Sequence, residues 1–345
     1  VEVIPSISNT VTADGYSEVM TSGGSYAHTQ CSHEEITTSI PTLNGVLSPD
    51  CGELRIETEY VSTLPNIPSA TVDVSFDNAV LAGPTTISPE NHTGSVQMIT
   101  FTTIAYYDVD MSGDRSAGDY ESETTVFVLT VEPKPIIESS IEASGFTDVL
   151  SANDDLMETI CYADEVVLGP PSLESTLATA CGDLRVLTDI ISTVPNVTSQ
   201  TLDESYPDAV SNGNIVLNPL NNSGSDQTLQ ISRVAYYDTD NSGDLSAGDV
   251  MDDWGSVTFT IRSIAELEEI DDLEVCPLDV VGPISFTGAN SNSFTWENDN
   301  PAIGLAMSGS GSDITFVANN TTGVPQTGTI TVTAYSDSDG LACEG

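Results

Sequence analysis

Basic side chains are almost missing from this sequence. Lysine and arginine together number 6, whereas aspartate and glutamate number 53, so the formal net charge is -47. A surface with this charge repels nucleic acid and anionic membranes, which excludes both as partners. Two interpretations of the acidity remain open: a solvated acidic surface of the kind that halophilic proteins carry, or a set of sites for divalent cations.

Histidine is scarce as well, and no catalytic motif accompanies it. None of the 3 histidines, His28, His33 and His92, has a histidine counterpart in the second copy of the internal repeat described below. No Ser/His/Asp arrangement, zinc-ligand pattern or phosphate-binding loop is present. No apolar run reaches the roughly 20 residues of a membrane-spanning helix. We therefore predict that the protein is not an enzyme and does not insert into a membrane.

What the sequence does contain is a long internal repeat, because the chain matches itself without a gap after a shift of 130 residues. AYYDVDMSGDRSAGD (105–119) falls on AYYDTDNSGDLSAGD (235–249), and CGELR (51–55) falls on CGDLR (181–185). A fixed period of this kind indicates duplicated domains.

The repeat divides the chain into three predicted domains. Domain 1 covers residues 1–132, domain 2 covers residues 133–264, and a third, smaller domain covers residues 265–345. Runs such as MITFTTIAYYD and TTVFVLTVE mix β-branched and aromatic residues, and clusters rich in Asn, Ser and Gly separate them. The predicted fold class is all-β, with tandem immunoglobulin-like β-sandwich domains in a linear array.

The cysteines number 6 and fall two in each domain. Because each repeated domain is expected to fold on its own, we predict disulfides within domains. The predicted pairs are Cys31–Cys51, Cys161–Cys181 and Cys276–Cys343. Metal ligation is the alternative, which the lack of CxxC motifs disfavours. Disulfides persist in oxidising compartments, so an extracellular or cell-surface location is predicted.

Each repeat also contains a loop with the spacing of a 12-residue calcium loop. Oxygen ligands stand at positions 1, 3, 5, 9 and 12, glycine stands at position 6, and position 7 offers a backbone carbonyl. The candidate ligands are Asp108, Asp110, Ser112, Asp114, Ser116 and Asp119 in domain 1, and Asp238, Asp240, Ser242, Asp244, Ser246 and Asp249 in domain 2. Carboxylates this close repel one another without a cation, so a structural Ca²⁺ is predicted in each loop. The alternative is an acidic turn without an ion.

These loops resemble EF-hand and dockerin-type calcium loops, with two departures. Position 12 is Asp instead of the usual Glu, for which Glu121 is a candidate substitute in domain 1, and the flanking segments are strand-like instead of helical. The other paired feature of the repeats is a rare cation at equivalent positions, Arg55 and Arg185. We expect both to anchor an internal carboxylate.

The third domain carries a different set of motifs. Between Cys276 and Cys343 lie FTWENDNPAIGLAMSGSG (294–311) and ITFVANNTTGVPQTGTITVTA (314–334). This segment resembles the PKD-like repeats of large surface adhesins that gliding and related bacteria export by type IX secretion. The resemblance implies tandem β-sandwich stalks of adhesins or surface filaments, and a further strand after the late cysteine. Since the sequence stops at Gly345, we expect domain 3 to lack its last strand.

Together these features predict a structural subunit or stalk segment of an extracellular, calcium-stabilised fibre or adhesin that assembles head to tail with copies of itself. Either the units continue in one longer polypeptide, or residues Val1 to Ile7 of one subunit complete domain 3 of the next. The alternative function is a calcium-dependent carbohydrate- or protein-binding module with surface glycans or a host or substratum as partner. Its candidate aromatic residues are Trp254 and Trp296, of which Trp296 is expected to be buried.

Overall fold

The computed structural model describes residues 4–47, 49–338 and 341–345. Domain 1 contains β1 Ile7–Ala13, β2 Tyr16–Thr21, β3 Ser25–Gln30, β4 Ile36–Thr38, β5 Thr42–Leu43, β6 Glu53–Ser62, β7 Ala70–Ser75, α1 Phe76–Ala82, β8 Thr85–Ile87, β9 Gln97–Asp108, β10 Tyr120–Glu121 and β11 Thr125–Val131. Domain 2 contains β12 Ile137–Ala143, β13 Phe146–Leu150, β14 Asp155–Ile160, β15 Val166–Leu168, β16 Ser172–Leu173, β17 Asp183–Ser192, β18 Gln200–Ser205, α2 Tyr206–Ser211, β19 Ile215–Leu217, β20 Gln227–Asp238, β21 Val250–Met251 and β22 Gly255–Ile261. Domain 3 contains β23 Val280–Ser285, β24 Ser293–Asn298, β25 Ser308–Ser310, β26 Asp313–Val317, β27 Ile330–Ser338 and β28 Leu341–Glu344. Short 3-10 helices cover Pro49–Cys51, Thr179–Cys181 and Pro301–Ile303.

Domains 1 and 2 are built from the same two sheets. In domain 1 the strand orders are β2-β1-β4-β8, with β5 beside β1, and β3-β11-β9-β6-β7, with β10 beside β9. Domain 2 repeats both orders with β12 to β22. Among the described residues, one pairing in each copy is parallel, and it joins an early strand to the last one, β3 to β11 and β14 to β22. The predicted all-β fold of tandem β-sandwich domains is confirmed.

Strict alternation of buried and half-buried residues along the last strand explains its place in the sandwich. In β11, Phe127, Leu129 and Val131 are buried, and the residues between them are half-buried. Phe127 and Leu129 belong to a core that includes Ile99 of β9 and Val11 of β1. The last strand therefore closes the core between the two sheets. Burial of each such side chain stabilises the fold by about 1.5–3 kcal/mol.

Domain 3 is a smaller version of this sandwich. Its sheets have the orders β23-β26 and β25-β24-β27-β28. Trp296 is buried in the core with Phe294 and Leu305, which confirms the prediction for Trp296. The opposite residue on β25 is Gly309, and a Cβ there would meet the indole ring at 2.4 Å. The ring therefore lies against a strand that has no side chain at this position.

Domain 3 lacks the strand that closes the other two domains, as far as the described residues go. In domain 1, β11 lies between β9 and β3 and pairs with both. In domain 3, β28 pairs only with Tyr335–Ser338 of β27, in the way that β10 pairs with the end of β9. On the side of β27 that faces away from β24, the described residues place no strand beside its first half. Residues 266–275, which precede Cys276 as β3 precedes Cys31, form no strand.

A hydrogen-bond pattern that repeats in all three domains is incomplete in domain 3. Asn91 and Asn221 have no exposed surface, and each donates from Nδ2 to the carbonyl at the end of the last strand, to Val131 at 2.9 Å and to Ile261 at 2.7 Å. Asn320 heads the equivalent loop in domain 3 and donates to the carbonyl of Val324 at 2.8 Å, as Asn91 and Asn221 donate within their own loops. Among the described residues, no last-strand carbonyl accepts from Asn320.

We expect Asn221→Ala to lower the free energy of unfolding of domain 2 by about 2 kcal/mol, because buried backbone acceptors lose their donor. Asn320→Ala is the matched control, since the side chain is half-exposed and lacks the strand contact, and it should change the stability of monomeric domain 3 by less than about 1 kcal/mol. Denaturant unfolding of both variants measures the difference. Equal losses would contradict the assigned role of the asparagine.

Candidate metal centres and interdomain disulfides

The first candidate calcium loop begins at Asp108, the last residue of β9. Asp108 is 1% exposed, and its two carboxylate oxygens accept hydrogen bonds from the backbone N–H of Ser112 at 3.1 Å and of Gly113 at 2.8 Å. Gly113 has a φ of 85°, a conformation that favours glycine. The chain therefore turns back over the carboxylate of Asp108, as position 6 of a calcium loop requires.

Asp119 closes this loop at its far end. Its carboxylate accepts from the backbone N–H of Val109 at 3.0 Å and of Ser116 at 2.7 Å. The Ser116 hydroxyl also donates to Asp110 at 3.4 Å. One carboxylate oxygen from each of Asp108, Asp110 and Asp119 lies within 4.8 Å of the other two. The structure thus brings together the residues predicted for positions 1, 3 and 12.

Positions 5 and 7 complete the loop. The Ser112 hydroxyl donates to the backbone carbonyl of Asp114 at 2.9 Å, and hydrogen bonding by Ser112 lowers the pKa of Asp110. The Asp114 side chain is not part of the three-carboxylate cluster, which agrees with a position that uses its main-chain oxygen. Glu121 lies outside the cluster too and pairs with Arg115 at 3.4 Å, so it does not substitute for the usual position-12 Glu in this structure.

The second loop repeats the geometry of the first. The Asp238 carboxylate accepts from Ser242 N–H at 3.1 Å and Gly243 N–H at 2.9 Å, and Asp249 accepts from Ser246 N–H at 2.7 Å. The second carboxylate cluster consists of Asp238, Asp240 and Asp249. Both loops offer carboxylate, hydroxyl and carbonyl oxygens, which are the ligands that hard cations such as Ca²⁺ take. The donor set therefore fits calcium.

The paired arginines anchor carboxylates, as predicted. Arg55 Nε lies 3.0 Å from Asp73 Oδ1 and 3.1 Å from the Tyr106 hydroxyl. Arg185 Nε lies 3.0 Å from Asp203 Oδ1 in the second copy. Burial and the hydrogen bond to Asp73 raise the pKa of Tyr106, so the phenol stays a donor. This contact ties β6 to β7 and β9. The sequence analysis did not single out Tyr106, although its place in the repeated AYYD motif could have indicated it.

The disulfides join different domains, so the predicted pairing within domains is wrong. The bonds are Cys31–Cys181, with Cα atoms 5.7 Å apart, and Cys161–Cys343, with Cα atoms 5.4 Å apart. Cys51 and Cys276 are free thiols, half-exposed and exposed respectively. Cys31–Cys51, Cys161–Cys181 and Cys276–Cys343 do not form in this structure.

Strand direction explains why Cys31 and Cys51 cannot meet. Cys31 follows β3, whose end lies beside the end of β11 and, through it, the start of β9 at Gln97. Cys51 precedes β6, whose first residue pairs with Asp108 at the other end of β9. A 12-residue strand spans about 36 Å, whereas disulfide Cα atoms lie at most about 7 Å apart. The two cysteines of one domain therefore sit at opposite ends of the sandwich.

The junction between domains 1 and 2 also gathers charged groups. Glu90 accepts hydrogen bonds from His92 and His33, which together with Lys134 hold the pKa of Glu90 at about 2. His92 in turn lies 3.5 Å from Asp252 of domain 2. Glu90 is more than a third exposed, so this contact is screened by water and adds little stability. It nevertheless places two of the three histidines in structural contacts.

No helix among the described residues has the length and apolar character needed to cross a membrane. Trp254, the other aromatic candidate for ligand binding, is half-buried in the connection between β21 and β22. Comparison of the chain with known protein families finds no family that matches, and comparison with curated proteins finds no matching relative.

Proposed function

We propose that this chain is a structural subunit of an extracellular, calcium-stabilised fibre or adhesin stalk, and that its units meet head to tail. The observation that carries the proposal is the open edge of domain 3. In domains 1 and 2 the last strand pairs along β9 or β20, whereas no described strand pairs with the first half of β27 on the side that faces away from β24. An unpaired edge of this kind accepts a strand from a neighbour.

Two apolar residues of domain 3 stand at sequence positions that are half-buried or buried in domain 1. Counted back from the cysteine, Leu273 and Val275 occupy the places of His28 and Gln30 in β3, the half-buried and buried face of that strand. In domain 3 they are 58% and 48% exposed. Exposed apolar side chains that are grouped in this way favour a surface that a partner covers.

Such a contact is heterologous, because the end of one unit meets the beginning of another. A heterologous contact that does not close on itself produces a filament. The predicted donor, Val1 to Ile7, is wrong at its C-terminal part: Ile7 is buried in domain 1 and pairs with Leu43 of β5. Val1, Glu2 and Val3 lie outside the described residues. The strand that fills domain 3 therefore comes from a segment that is not already part of β1, whether in a second copy or in a longer polypeptide.

The calcium loops and the disulfides support the remaining parts of the proposal. Bonds between domains stop neighbouring sandwiches from separating, and such bonds persist in oxidising, extracellular surroundings. A bound Ca²⁺ would hold the connections from β9 to β10 and from β20 to β21, both of which carry clustered carboxylates. The PKD-like motifs of domain 3 also favour a stalk, because the repeats that they resemble belong to surface adhesins.

Electron microscopy of the purified chain in millimolar calcium tests the proposal. We expect filaments, and we expect Leu273→Lys to abolish or shorten them because a charge then faces the incoming strand. Met157→Lys is the matched control: Met157 lies on the outward face of β14, is 76% exposed, and adjoins an edge that β22 already covers. Isolated particles at every protein concentration, or equal loss of filaments in both variants, would contradict the proposal.

A further inference from the structure

The four bonded cysteines follow one rule along the chain. The first cysteine of domain 1, Cys31, bonds to Cys181 of domain 2, and the first cysteine of domain 2, Cys161, bonds to Cys343 of domain 3. Each bond thus runs from the first cysteine of one domain to the second cysteine of the next. The two free thiols are those that the rule leaves over: the first cysteine of domain 3, Cys276, and the second cysteine of domain 1, Cys51.

Cys276 has the same local structure as the two cysteines that reach forward. The backbone N–H of Cys31, of Cys161 and of Cys276 donates to a carboxylate three residues later, at 3.0, 2.8 and 3.0 Å. The accepting residues are Glu34, Asp164 and Asp279. The N–H of each acidic residue also donates back to the carbonyl of its cysteine. The same closed turn therefore presents all three sulfur atoms.

The surroundings of this turn match as well. His33, two residues after Cys31, has a φ of 75° and donates from its N–H to Pro89 at 2.9 Å. Leu278, two residues after Cys276, has a φ of 75° and donates to Ala318 at 2.8 Å. Pro89 and Ala318 each stand two residues before the asparagine that heads the repeated loop. Domain 3 consequently repeats the cysteine turn of domain 1 and its contact with the chain just before the asparagine loop.

Cys51 has the same local structure as the receiving Cys181. Both end a 3-10 helix and precede a glycine, Gly52 and Gly182, with φ values of 111° and 115°. At each glycine a Cβ would meet a strand-end carbonyl at 2.2 Å, so the backbones are packed identically. Cys181 is 3% exposed under domain 1, whereas Cys51 is half-exposed. Domain 1 therefore presents a receiving end that no described domain covers.

We propose that Cys276 of one copy forms a disulfide with Cys51 of the next copy, so that the head-to-tail contact becomes covalent. This inference rests on the proposed fibre and adds its chemical link. The contact would reproduce the junction of domains 1 and 2, in which Thr176 N–H donates to the carbonyl of Gly94 at 2.7 Å. At the proposed contact, Val46 takes the place of Thr176 and Gly323 takes the place of Gly94; Val46 is 82% exposed.

The bond forms by thiol–disulfide exchange with a low-molecular-weight disulfide such as oxidised glutathione. The Cys276 thiolate attacks one sulfur of that disulfide and releases one thiolate. The Cys51 thiolate of the next copy then attacks the Cys276 sulfur and releases the second. Two protein thiols are oxidised, one S–S bond forms, and the small disulfide is reduced to two thiols, so atoms and electrons balance.

The test uses the full chain with calcium and oxidised glutathione, analysed by gel electrophoresis without reductant. The unmodified chain should give a ladder of multiples of 36.2 kDa, and peptide mapping should recover Cys51 linked to Cys276. Cys51→Ser alone and Cys276→Ser alone should each run as a single chain. An equal mixture of the two variants should yield a dimer and nothing larger, because it contains one usable pair.

The outcomes separate this inference from the fibre. Filaments seen by electron microscopy without the Cys51–Cys276 peptide would overturn the disulfide and leave the fibre standing. Dimers formed by either single variant alone would show unspecific thiol oxidation and would also overturn the disulfide. If neither filaments nor the linked peptide are found, both proposals are overturned. The link is supported if the mixture of the two variants gives a dimer, each variant by itself gives none, and the unmodified chain gives the ladder.

Discussion

Chelation of calcium is expected to lower the melting temperature of domains 1 and 2 by about 10 °C. A ligand at about 100 times its dissociation constant stabilises the folded state by about 2.7 kcal/mol, and about 1 kcal/mol corresponds to roughly 4 °C in a domain of this size. The physical source is the repulsion among three carboxylates within 4.8 Å of one another in each loop, which a divalent cation offsets. Calorimetry in millimolar calcium and in excess chelator measures the shift.

Two substitutions sharpen this experiment. Asp110→Asn combined with Asp240→Asn removes one charged ligand from each loop at exposed positions, so the fold should survive while calcium loses most of its effect on the melting temperature. Glu59→Gln, at an exposed position of β6 outside both loops, is the control and should keep the full calcium response. Identical melting curves of the unmodified chain with calcium and with chelator would show that the loops hold no structural ion.

Removing the bond between domains 1 and 2 should destabilise domain 1 by about 4 kcal/mol. When domain 1 unfolds on a folded domain 2, the bond at Cys31 and the chain connection near residue 133 together close a loop of roughly 100 residues, for which chain entropy predicts about 4.7 kcal/mol. The double variant Cys31→Ser with Cys181→Ser opens that loop without leaving an unpaired thiol at the former bond. Faster amide hydrogen exchange in β9 and β11 is the expected signal.

Cys51→Ser provides the comparison for this prediction, since Cys51 is unbonded within the chain. It should leave exchange in domain 1 of the monomer unchanged, whereas a bond between Cys31 and Cys51 would make both variants behave alike. Peptide mapping without reductant gives an independent answer. A peptide that joins Cys31 to Cys51 would contradict the structure directly.

Much of the fold was accessible from local patterns. The 130-residue repeat recurs as two sets of strands in the same order, and the segments MITFTTIAYYD and TTVFVLTVE lie in β9 and β11. Alternation is a property of neighbouring residues, so the sequence shows it without knowledge of the fold. The clustering of the loop carboxylates was accessible for the same reason: positions 1, 3 and 12 belong to one short segment, and the structure brings Asp108, Asp110 and Asp119 together. The bound calcium stays a prediction.

The cysteine pairing, in contrast, depended on where strands lie in space. Two cysteines 20 residues apart in sequence looked like natural partners, yet the parallel pairing of β3 with β11 places Cys31 at the end of the sandwich that faces domain 2, while Cys51 precedes β6 at the opposite end. Parallel pairing joins residues that are distant along the chain, and no local pattern reports it. Composition and repeats thus established an acidic, duplicated all-β chain. Strand register, in contrast, determined which cysteines bond, which remain free, and which edge of domain 3 has no partner strand among the described residues.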